Sequence, residues 1–87
     1  MCSMVNERTA VSGGGKGPQG WFPVDYVSVG YDHPVFVPRE HAITIDFANE
    51  SAGPGARVAV ELTPESAREL IATLQTALDK GTALQLP

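Results

Sequence analysis

The reactive potential of this chain rests on three residues: Cys2, its only cysteine, and His33 and His41, its only histidines. Each histidine follows an acid, Asp32 before His33 and Glu40 before His41. Thiolate and imidazole together suit zinc or copper, and iron less distinctively. Three protein ligands with a fourth position open resemble a catalytic metal site more than a closed structural one. Asp32 or Glu40 would then complete the coordination or orient a histidine from behind. The same residues offer a nucleophilic Cys2 with His33 or His41 as base, but no oxyanion hole is identifiable. A non-catalytic reading competes with both. Paired histidines at a hairpin end can be polar caps bound to carboxylates, and a free cysteine is often a small buried hydrophobe. No CxxC or HxxxH spacing is present.

Whether the three residues meet depends on the strands that carry them. Ala42–Ala48 alternates cleanly, with Ile43, Ile45 and Phe47 on one parity and Thr44 and Asp46 on the other. Ala56–Leu62 does the same with Val58, Val60 and Leu62 against Arg57 and Glu61. Trp21–Tyr31 carries Val27, Val29 and Tyr31 on one parity. Period-two alternation marks strands with one buried face. A one-residue slip would turn every apolar side chain to water, so face matching fixes the register. Phe47 falls opposite Val58, and Val29 opposite Ile45. The same register carries His33 opposite His41, with Cβ atoms roughly 4.5–5.5 Å apart. A further strand at about Cys2–Val11, paired as a meander, would return Cys2 to the same end.

A helix follows directly. Thr63 is a good N-cap, Pro64 suits the first helical position, and Glu65 complements the dipole. Ala67, Leu70, Ile71, Leu74 and Leu78 build one apolar stripe. Lys80 and Gly81 are expected to close the helix, leaving TALQLP as a short edge strand in this chain's sheet or in a partner's. The glycine-rich Ser12–Gly20 is expected to be a mobile connection. Its SGGGKG resembles a phosphate loop only superficially, because Gly17 follows the lysine and no helix follows the loop. Asn49–Gly55 reads as a turn, and Pro34 and Pro38 mark another loop. Trp21, Phe22 and Tyr26 offer a ligand-stacking surface, but such residues are more often core or dimer contacts. Asp46 and Glu61 fall on a solvated polar face, with Arg57 available to offset their charge.

Composition narrows the class. The chain has 87 residues, suggesting a single domain over 1–87, with six basic against ten acidic residues. The basic residues are scattered, so no nucleic acid is expected as a partner. No run approaches ~18 apolar residues, and no basic leader precedes an apolar stretch, so a cytoplasmic protein without membrane association is expected. A lone cysteine excludes a disulfide within the chain.

The segments GKGPQGWFPV, YDHP, EHAITIDFANE and GPGARVAVELTPESAREL together resemble a family of small actinobacterial proteins of unknown function that begin Met-Cys and carry a DHP…EH segment. The resemblance covers nearly the whole chain and implies no established activity. It implies a histidine in some relatives at the position of Phe36.

The expected fold is α+β: a four-stranded, mainly antiparallel sheet with one C-terminal amphipathic helix across its apolar face. One helix covers such a sheet incompletely, so a homodimer is expected. The leading function is a small metal-binding protein with a Cys2, His33, His41 site for zinc or copper, Asp32 and Glu40 lying behind it. Whether it is an enzyme or an accessory protein is left open. The alternative is a non-catalytic homodimeric module that binds a small molecule or protein and uses its histidines structurally.

Overall fold

In a computed structural model, residues 5–84 are described. Strands β1 (Val5–Gly17), β2 (Gly20–Asp32), β3 (Ala42–Ala48) and β4 (Arg57–Leu62) precede helix α1 (Pro64–Ala83). The strands form one antiparallel meander in the order β1-β2-β3-β4. The arrangement is α+β, as face matching predicts.

The registers set the apolar parities of neighbouring strands on one face. Val29 pairs with Ile45, Tyr31 with Ile43, Phe47 with Val58, Ile45 with Val60 and Ile43 with Leu62. On the polar face Thr44 lies opposite Glu61, and Asp46 opposite Ala59. Arg57 bonds the Asp46 carboxylate through Nε and Nη2, and this bond raises the arginine pKa above its ordinary value.

The glycine-rich segment departs from expectation. Ser12–Gly17 is not a mobile loop but the second half of β1, paired with β2 as far as Gly17 opposite Gly20. The turn is only Pro18–Gln19, closed by Gly20 at φ 107°, a conformation that suits glycine. Gly15 leaves room for the Phe22 ring and Val24. A β-carbon on Gly15 would lie 3.1 Å from Phe22 Cζ and from Val24 Cγ2. Glycine in a strand often marks such a close approach. A register shift between Ala10 and Gly13 separates the two halves of β1.

Helix α1 begins as predicted, with Thr63 Oγ1 accepting from Ser66 N–H at 3.1 Å and Pro64 in the first turn. It does not stop at Gly81. It runs on to Ala83, so Thr82 and Ala83 are helical rather than part of an edge strand. Nor does it lie across the sheet. None of its residues is buried, and it approaches the sheet only sparsely, at β3 and β4. The reason lies in the connection. One residue, Thr63, separates strand from helix, and as the residue before a proline it is held extended. Among the described residues the buried hydrophobic core is correspondingly small: Val24, Val27, Ala42, Ala48 and Ala56.

Candidate functional site

The ladder between β2 and β3 closes on Asp32 opposite Ala42. His33 and His41 stand one position beyond it on their respective sides. Their ring centroids are 5.1 Å apart with 30° between planes. Tyr31 stacks on the other neighbour, 5.4 Å from the His41 centroid at 22°. The expected meeting of the two histidines is therefore present, as a row Tyr31–His41–His33. Cys2, the third expected ligand, lies outside the described residues. The nearest described point of β1 is Val5, opposite Tyr31.

Both acids act locally, in different ways. Asp32 Oδ1 accepts the backbone N–H of His33 at 2.7 Å, which fixes the chain as it leaves β2. Glu40 contributes its backbone: its carbonyl oxygen lies 3.0 Å from His33 Nδ1. A carbonyl only accepts, so Nδ1 carries the hydrogen. In a neutral imidazole this leaves Nε2 with its lone pair. Such a bond commonly orients a histidine for a metal. Among the described residues, no group of three or more His, Cys, Asp or Glu side chains is placed to hold an ion.

A second feature at this end has no counterpart in the sequence reading. The loop from Val35 to Val37 turns three successive N–H groups onto one carboxylate. Glu61 accepts from Val35 at 2.6 Å, Phe36 at 2.8 Å and Val37 at 3.0 Å. Successive N–H groups form such an anion cradle. The bonds from Val35, then Val37 and Phe36, hold the Glu61 pKa below the ordinary carboxylate range. Arg39 adds a tie to α1 through Glu65 at 3.2 Å. The loop bridging the histidines is thus fastened to β4 and α1, while Val35 and Phe36 stand almost fully exposed. No residue type in the loop signals the cradle, because every non-proline residue carries the N–H group that it uses.

The opposite end of the sheet holds a cavity of about 320 Å³ whose lining includes Tyr26, Asp46, Asn49, Glu50 and Arg57. Arg8 lies 3.7 Å over the Tyr26 ring and pairs with Glu50 at 3.3 Å. Asn49 is buried there, donating to Pro23 O at 2.9 Å and accepting from Ser51. These bonds account for the expected Asn49–Gly55 turn, whose Glu50–Ala52 forms a short 3-10 helix. The polar groups here satisfy one another, as a structural corner does.

Among the described residues, no helix is long and apolar enough to cross a membrane. No curated protein and no solved structure matches the chain. The model of a family of unknown function, DUF6295, matches residues 1–86, and the chain belongs to that family.

Proposed function

We propose that the histidine end of the sheet is a transition-metal site, with Cys2, His33 and His41 as ligands and zinc or copper as the ion. The observation that carries this reading is the 3.0 Å contact from His33 Nδ1 to the Glu40 carbonyl, beside a second imidazole 5.1 Å away. That contact leaves His33 Nε2 as a free donor atom. His41 would turn its ring edge toward it, because nitrogens on one tetrahedral ion with bonds of ~2.0–2.1 Å lie roughly 3.3 Å apart. Cys2 lies three positions before Val5, and three residues of extended chain span at most about 10 Å. The thiol is therefore within tether of the pair. Asp32 and Glu40 position His33, through N–H and carbonyl bonds respectively. A thiolate ligand also belongs in a reducing compartment such as the cytoplasm.

Competition titration with a chromophoric chelator tests the site. The full-length protein takes up zinc or copper, and affinity falls with falling pH as imidazole and thiol protonate. His33→Ala, His41→Ala and Cys2→Ser each weaken uptake at least ~10-fold, the lower bound for disturbing even a residue behind a ligand. Uptake equal to that of the unaltered chain in all three variants overturns the assignment.

The Tyr31–His41–His33 stack favours a second reading, a non-catalytic binding module whose histidines are structural. Under it, the histidine variants lower the melting temperature while the chain binds neither metal.

A further inference from the structure

Helix α1 and the sheet lack the same thing. The stripe of α1 faces water: Ile71 is 67 % exposed, Leu78 65 % and Leu74 55 %. On the apolar face of the sheet, Phe47 and Val60 are exposed too. In proteins most helical stability comes from packing an amphipathic face rather than from propensity, and α1 buries none of its 20 residues. The chain exposes 6614 Å², where a compact monomer of 9.2 kDa exposes about 4,900 Å². Its radius of gyration is 14.7 Å, against about 12 Å for a compact domain of 87 residues. The surplus, about 1,700 Å² per chain, is roughly twice the ~800 Å² per partner of a standard stable interface.

We infer that a second copy of this chain covers these faces by reciprocal exchange: α1 of each protomer lies on the apolar face of its partner's sheet. Three observations select this occupant. The first is self-complementarity. A two-fold interface pairs residue i with j and j with i, so a chain offering an uncovered sheet and an unseated helix satisfies both with one operator. The second is length. Ala67 to Leu78 spans about 16 Å at the α-helical rise, and Phe47 to Ile43 spans about 14 Å along its strand. The third is the connection. Chain reversal onto the protomer's own sheet would have to occur at Thr63 alone, whereas strand–helix loops usually have ~2–6 residues. A tight hinge of this kind directs an element outward and favours exchange. The inference is independent of the metal site, because Ile71, Leu74, Val58 and Val60 take no part in it.

The test mixes isotope-labelled and unlabelled full-length chains and records filtered nuclear Overhauser effects, with mass measured in parallel by light scattering. The expected result is a species of twice the 9.2 kDa chain mass at micromolar concentration. Effects should run from methyls of Ile71 and Leu74 in one copy to Val58 and Val60 in the other. Ile71→Ser raises the dimer dissociation constant about 30-fold or more, and circular dichroism checks that the variant is folded. A monomer at that concentration overturns the inference. So does a dimer whose helix-to-sheet effects run within one copy or are absent, as β1 edge pairing or helix-on-helix packing would give.

Discussion

Replacing Ile71 by serine probes the exposed stripe with the least disturbance to the helix itself, since isoleucine and serine have similar helix propensities. Full burial of an isoleucine side chain is worth about 1.5–3 kcal/mol. Ile71 is 67 % exposed in the single chain, so seating it on a partner recovers about two thirds of that, roughly 1–2 kcal/mol. A two-fold dimer contains the contact twice, giving about 2–4 kcal/mol, or a 30- to 1,000-fold rise in dissociation constant. Sedimentation equilibrium over a range of concentrations measures it. Thr73→Ala is the control, because two residues further along the helix is about 200° around it, on the opposite face. The reasoning is refuted if Ile71→Ser leaves the dissociation constant within about twofold, which is less than 0.5 kcal/mol, or if Thr73→Ala shifts it equally.

Glu61 gives a pH prediction. Its pKa is lowered on folding, chiefly by the bond from Val35, so its clamp is fully present above the ordinary carboxylate pKa and is lost as pH falls through the depressed folded value. Hydrogen exchange at Val35, Phe36 and Val37 should therefore stay slow near neutrality and quicken selectively in acid, relative to intrinsic rates. Glu61→Gln should quicken it at neutral pH as well. Equal protection in the variant would remove the clamp from the account. At the β1–β2 turn, Gly20→Ala forces an L-residue to φ 107° at a cost of about 1–2 kcal/mol. For a domain of this size that lowers the melting temperature by about 4–16 °C. An unchanged melting curve would mean that the turn has relaxed to another form.

Much of the fold was legible because burial decides it. The parity of Ile43, Ile45 and Phe47 against Val58, Val60 and Leu62 allows one register without exposing every apolar group, and that register places His33 beside His41. The helix start was legible because Thr63 and Pro64 are local signals. Three things escaped. Ser12–Gly17 reads as a loop because propensity ignores its pairing with β2 and the Phe22 ring that lies close against Gly15. Gly81 reads as a stop because a local left-handed preference is weak against the continuing α-helical bonds. The placement of α1 escaped because a periodic stripe shows that a face must be covered and not by what. At the candidate site, types and strand ends showed the convergence of the two histidines. The Glu61 cradle did not show, since it joins residues 24–26 positions apart through backbone N–H groups that any sequence possesses. The part played by Cys2 rests on the metal proposal and lies outside the described residues.

The most direct measurement is elemental analysis, paired with native mass spectrometry, of full-length protein purified without an affinity tag. We predict one zinc or copper ion per chain, bound by the unaltered protein and lost in His41→Ala and in Cys2→Ser while both variants remain folded. Protein that stays metal-free after exposure to either ion, or that holds its metal equally well in both variants, would contradict the Cys2, His33, His41 site.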